Sequence, residues 1–228
     1  MTAAGTRARV RAALTREIVD AARRHLATEG AVGLSLRAVA RELGMASSAV
    51  YRYFPSRDDL LTALIVEAYD ALGDAVERAE AQAPREDLRR RFRTACAAVR
   101  TWALAHPHEY ALVYGSPVPG YAAPRATAGP AARVGVVLGA IAADGVAAGR
   151  VEPGTDGADA TLSPGVAATV GLPSADGGSL VARAIQVWVS VYGLVSFELF
   201  GHLHHVVERR EEYFAAAVDR LADQLGLP

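Results

Sequence analysis

The 228 residues, 51% of them hydrophobic, suffice for a small domain joined to a larger body with its own core. A single cysteine, Cys96, excludes an internal disulfide, and no uninterrupted apolar run reaches the roughly 18 residues of a membrane span; the most apolar stretch, 184–197, is broken by Gln186 and Ser190. The net charge of −1 conceals an asymmetry: residues 1–57 hold ten arginines against four acids, a balance of +6, and the remainder holds fourteen against twenty-one, a balance of −7. A basic end is drawn to phosphate backbones and an acidic body stays clear of them, so double-stranded DNA is the expected partner of the N-terminal part. No secretory leader is evident, and the expected location is the cytoplasm, with no membrane partner.

Residues 1–12, with Arg7, Arg9 and Arg11, read as a flexible basic arm that either reaches an adjacent groove or merely solubilises the end. Residues 33–59 spell a short helix, a glycine turn and a second short helix. Ser35 is placed to cap the first with its hydroxyl, and Leu36, Val39, Ala40 and Leu43 recur at helical spacing. Gly44 ends that helix, since glycine accepts the left-handed conformation. Met45 and Ala46 complete the turn, Ser47 or Ser48 opens the next helix, Val50 and Phe54 pack backward, and Pro55 closes it. Outward positions hold Ser47, Ser48, Tyr51, Arg52 and Tyr53, donors suited to phosphate oxygens and base edges. A helix pair joined by so tight a turn is the geometry that places a reading helix in the major groove.

This stretch resembles the DNA-binding domain of the TetR family of bacterial repressors over about residues 13–65. The likeness includes the preceding run Ile18-Val19-x-Ala21-Ala22-x-x-x-Leu26-x-x-x-Gly30. The family's Leu-Tyr-x-His-Phe pattern stands here as Val50-Tyr51-Arg52-Tyr53-Phe54, with Tyr53 in place of the histidine. The resemblance implies an all-α chain with a three-helix helix-turn-helix domain at 13–59 and a larger helical effector-binding and dimerisation domain at 60–228. It further implies that Ser35, Arg37, Ser47, Ser48, Tyr51, Tyr53 and Arg57 touch DNA, and Arg52 joins them as an outward-facing donor. The implied activity is that of a one-component regulator, a repressor released from its operator by a small, largely apolar effector.

Beyond this module the apolar period stays helical. Asp58 and Asp59 open a long helix, favourably placed for its dipole, with Leu61, Leu64, Ile65, Ala68, Leu72 and Val76 along one side. Pro84 starts a helix running to His106, and a further helical piece covers 107–114. Residues 115–130 read as loop, 131–149 as helix, and 150–178 as a long irregular stretch around a short apolar helix at 166–170. Glu198, His202 and His205 stand four and three apart, the spacing of one helical face, but a metal site would need ligands from elsewhere, and neither metal nor other cofactor is expected.

The helix expected at 180–203 is apolar on all sides, with Ile185, Trp188, Tyr192, Val195 and Leu199 on one seam, so a second body is expected against it. The closing helix carries Phe214, Ala217, Val218, Leu221 and Leu225. Ile185, Tyr192, Leu199, Phe214, Val218 and Leu221 are the expected interface of a twofold homodimer, which predicts a palindromic operator. The run Trp188 to His202 resembles the C-terminal domain of the family's Trp-His-Gly subgroup, with Tyr192 replacing the histidine. Trp102, Tyr110, Tyr114, Tyr121 and Trp188, aromatics with polar tips, are the expected lining of an effector pocket. No nucleophile elbow, phosphate loop, dinucleotide fingerprint or paired-cysteine site is present, so an enzyme is not expected. An architectural DNA binder without an effector is the rival reading, and the size of the body argues against it.

Overall fold

The computed structural model describes residues 3–155, 157–163, 165–172 and 178–228, and the side chains from residue 5 onward. The described residues form ten α-helices and no strand, so the chain is all-α. They divide into two compact units: Met1–Tyr69 with His106–Ala128, and Asp70–Ala105 with Gly129–Pro228. The division differs from a boundary at 59/60. The fourth helix and the sixth each contribute apolar side chains to the N-terminal core, which a linear domain boundary cannot express.

In the first unit, α1 (Ala3–Gly33), α2 (Leu36–Glu42) and α3 (Ser47–Val50) are joined by the first half of α4 (Arg57–Glu80) and by α6 (Pro107–Tyr114). Ile18, Val19, Leu26, Leu36, Val39, Val50, Leu60, Leu61 and Leu64 are buried together, with Leu112 of α6 completing the cluster. Residues 3–12 do not form an arm, although Met1 and Thr2 lie outside the described residues: α1 begins at Ala3, because alanine and arginine, which fill this stretch, are strong helix formers. Gly30, at φ 67°, breaks the helical run before it ends. Gly44, at φ 64°, makes the turn between α2 and α3 as its sequence position requires.

In the second unit, α5 (Leu88–Ala105), α9 (Leu180–Leu199) and α10 (Arg210–Leu225) pack on one another and bury Phe92, Cys96, Val99, Val187, Val191, Val195, Phe214 and Val218. A 3-10 turn at Arg125–Thr127 leads directly into α7 (Ala128–Ala147), so the loop expected to 130 ends sooner. The irregular stretch holds a 3-10 turn at Ala158–Thr161 and α8 (Val166–Thr169). α9 stops at Leu199 and Gly201 turns the chain at φ 84°, so Glu198, His202 and His205 do not share a helical face. Both carboxylate oxygens of Glu198 instead accept bonds of 2.7 Å from the guanidinium of Arg100.

Residues 125–147 and α9 are long and apolar enough by composition to cross a membrane. Both carry ionic contacts that hydrocarbon would penalise. Arg133 of α7 holds Asp70, Asp74 and Glu77 of α4, and Glu198 of α9 holds Arg100.

Candidate DNA-reading face and apolar cavity

The reading face is built on α2 and α3. Val39, Ala40, Val50 and Phe54 are buried in the first unit, which holds the two short helices against α1 and α4. With those positions committed inward, Arg37, Ser48, Tyr51 and Arg52 stand exposed, and Ser35, Ser47, Tyr53 and Arg57 are half-buried. Neither Arg37 nor Arg52 has a carboxylate partner among the described residues. Donors left without internal partners, two of them permanently charged, suit phosphate and base-edge contacts.

Two expected roles change. Ser35 occupies the N-cap position of α2 in an extended conformation, but its hydroxyl oxygen accepts no capping bond, leaving the group available to an outside partner such as a phosphate. Arg57 does not present its fork outward: its guanidinium donates to the carbonyls of Ala31 at 2.6 Å, Leu34 at 3.2 Å and Val32 at 3.3 Å. The end of α1 at Gly33 leaves carbonyls of its last turn without helical partners, and Arg57 ties the α1–α2 corner to the start of α4.

The second unit holds a cavity of about 250 Å³ between α7, α8 and α9. Ala131, Gly135, Leu138 and Gly139 line it from α7, Val166 and Val170 from the α8 segment, and Ala184, Ile185 and Trp188 from α9. The indole N–H of Trp188 is the only polar side-chain atom in this set. Gly139 permits the close approach that roofs the cavity, since a Cβ there would lie 1.9 Å from the carbonyl oxygen of Val170.

Of the five aromatics expected in a pocket, only Trp188 lines this cavity. Trp102 is buried in α5. The three tyrosines belong to the first unit and cement it. Tyr110 is fully buried with its ring 5.1 Å from that of Tyr114, Tyr114 meets Tyr69 edge-on at 5.8 Å, and the hydroxyl of Tyr121 bonds Thr62 at 3.0 Å. Burial, followed by the neighbouring Tyr121, pushes the Tyr69 hydroxyl above its ordinary pKa. The cavity residues missed by the aromatic criterion had a signal in Ala131, Gly135 and Gly139, which stand four apart on α7 and leave room beside it.

Residues 18–64 match the family model described as bacterial regulatory proteins, tetR family, and residues 92–221 match the tetracyclin repressor-like C-terminal domain. HTH-type transcriptional regulators of Mycobacterium bovis and Mycobacterium tuberculosis are 44% identical over 202 residues, covering 86% of this chain and 85% of theirs. The chain belongs to the TetR family of transcriptional regulators. TetR-family regulators bind DNA through this helix-turn-helix, and neither the family nor these relatives are enzymes. Burial accordingly pushes the Cys96 thiol above its ordinary pKa, where it is a poor nucleophile. A crystal structure of a regulatory protein designated SCO4313 superposes with a TM-score of 0.78 at 32% identity, covering 94% of this chain and 98% of that one. A Rhodococcus sp. RHA1 protein of unknown function gives 0.72 at 27%, covering 93% and 95%.

A TetR-family body typically also carries a pairing surface. Three of the expected interface residues, Tyr192, Phe214 and Val218, are buried within their own unit, and Ile185 lines the cavity. On that seam of α9 Tyr192 is buried, while Trp188, its ring 5.6 Å from that of Tyr192, keeps an exposed edge. Leu199 and Leu221 are half-buried. Trp188, Val189, Phe197 and Tyr213 are exposed apolar positions on α9 and α10, and Phe197 and Tyr213 line a groove with Gly193, Leu194, Leu203 and Leu221.

Proposed function

We propose that the chain is a homodimeric repressor in the cytoplasm that leaves a palindromic operator when a small, uncharged, largely apolar effector enters the cavity between α7, α8 and α9. The cavity's lining carries this reading: a site of about 250 Å³ with one polar side-chain atom favours a compact apolar molecule oriented by a single hydrogen bond to the Trp188 indole. Arg133 supplies the coupling. It lies on the cavity helix α7 and bonds Asp70, Asp74 and Glu77 on α4, and Gly73 gives it passage, since a Cβ there would stand 2.6 Å from its Nε. α4 is one continuous helix from Arg57 to Glu80, so a displacement of its second half is carried toward the reading helices. The exposed face around Phe197 and Leu194 supports pairing of two chains, and a twofold pair of reading heads supports a palindromic site.

The test uses a duplex selected from random DNA by the full-length protein and a panel of small uncharged aromatic and alicyclic compounds. An effector lowers duplex affinity and quenches indole fluorescence in the native protein. Ala184→Phe, which fills the cavity, abolishes both responses and leaves duplex affinity intact. Release by the same compound in Ala184→Phe would refute the assignment of the cavity, and a panel without any effect on affinity would favour an architectural binder.

A further inference from the structure

We propose that the first three turns of α1 form a helical clamp on the phosphate backbone flanking the bases read by α3, with Tyr53 as the platform that positions Arg11. The inference rests on the DNA-binding role of the first unit and concerns a surface outside its two short helices.

Arg7 and Arg11 stand one turn apart on α1, and with Thr6 and Val10 they line a groove closed by Tyr53. The guanidinium of Arg11 lies over the Tyr53 ring, 5.1 Å from its centroid. That ring packs on its other side against the core of the first unit, so it is a fixed support. A cation held over an aromatic face keeps its N–H donors pointing outward, free for an anion. Neither Arg7 nor Arg11 has a carboxylate partner among the described residues.

Two guanidinium forks without a carboxylate partner, on a helix whose first turn also holds no acid, suit an anionic partner. Arginine forks and one threonine offer donors suited to phosphates. They give affinity and register with little reading of bases. Tyr53 therefore acts through its ring, where the family's histidine would act through a ring nitrogen.

The experiment measures the salt dependence of binding to the selected duplex and to an unrelated duplex of equal length. Arg7→Ala with Arg11→Ala is expected to lower the slope of log affinity against log salt by about 2, and to weaken both duplexes alike by about 5-fold per arginine at about 0.15 M salt. Both side chains are exposed, so the core is untouched. Trimming the selected duplex to its half-sites erases the difference between native and doubly substituted protein. Tyr53→Leu reproduces the Arg11→Ala loss and adds nothing to it in the double variant, and Tyr53→Phe restores native slope. An unchanged slope in the double arginine variant would overturn the clamp. A loss in Tyr53→Phe equal to that in Tyr53→Leu would overturn the platform, since the hydroxyl would then be the contact. If Arg37→Ala also left binding unchanged, the fault would lie in the reading face and not in the clamp.

Discussion

The body and the reading face use the same cation in opposite ways. In the body, arginine is structural: Arg91, almost fully buried, bonds Glu80 at 2.6 Å and Asp144 at 2.7 Å, Arg100 forms a fork with Glu198, and Arg93 pairs with Asp219. On the reading face, Arg37 and Arg52 are exposed and hold no carboxylate among the described residues. The planar fork, always charged, serves both ends, and what differs is whether the fold supplies the counter-ion. The contrast teaches that a chain of near-neutral charge can keep its function-bearing cations distinct by neutralising the others internally. Arg57 belongs with the body in this respect despite its place in the motif, because backbone carbonyls occupy its fork.

The contrast breaks most severely at Glu80. Glu80→Ala removes one of the two carboxylates from the buried guanidinium of Arg91 and leaves Asp144, so it is expected to cost a part, about 2 kcal/mol, of what a fully unpaired buried charge would. Chemical denaturation is expected to show that loss. A loss below about 1 kcal/mol would mean that the pair is effectively solvated and that body and reading face do not differ in kind.

The next effect separates Arg37 from Arg57. Arg37→Ala is expected to weaken the selected duplex by about 1–3 kcal/mol with no change in melting temperature. Arg57→Ala is expected to lower the melting temperature first, because it leaves the carbonyls of Ala31, Val32 and Leu34 without donors. Melting curves and anisotropy titrations on both variants check this. Equal melting temperatures with equal losses of affinity would return Arg57 to the reading face.

The same difference explains what was legible from sequence. The helix-turn-helix could be read residue by residue because its rules are local: Gly44 sits where a left-handed turn is needed, and Val50 and Phe54, four apart, point inward while Ser48, Tyr51 and Arg52 beside them stand exposed. The extent of α1 was missed because charge suggested an arm where alanine and arginine propensity made a helix. The cavity was not legible, since its walls come from residues 131–188 and meet only through loops. Polar-tipped aromatics were a poor guide to it, because Tyr110, Tyr114 and Tyr121 were needed to seal α6 onto the first unit. On a helix apolar all round, periodicity cannot say which side its own unit takes, which is why Tyr192 is buried in its own unit while Phe197 on the same helix is exposed.

The smallest expected effect on stability falls at Arg133, and it is the most informative about coupling. Its bonds to Glu77, Asp74 and Asp70 raise its own pKa and hold the carboxyl of Asp74 below the ordinary value of 3.8. A carboxylate depressed in the fold contributes stability that is fully present above its ordinary pKa and is lost as pH falls through the lower folded value. The difference in melting temperature between native protein and Arg133→Gln is therefore expected to be small and constant from about pH 5 to pH 8, and to shrink as Asp74 protonates below 3.8. These carboxylates are substantially exposed, so water screens the hub and most of its effect lies elsewhere. In Arg133→Gln an effector is expected to bind with native affinity, read by indole fluorescence, yet to release the duplex less completely, because α7 no longer moves α4 with it. Full release in this variant would show that coupling passes through the packed core of the body and not through the Arg133 hub.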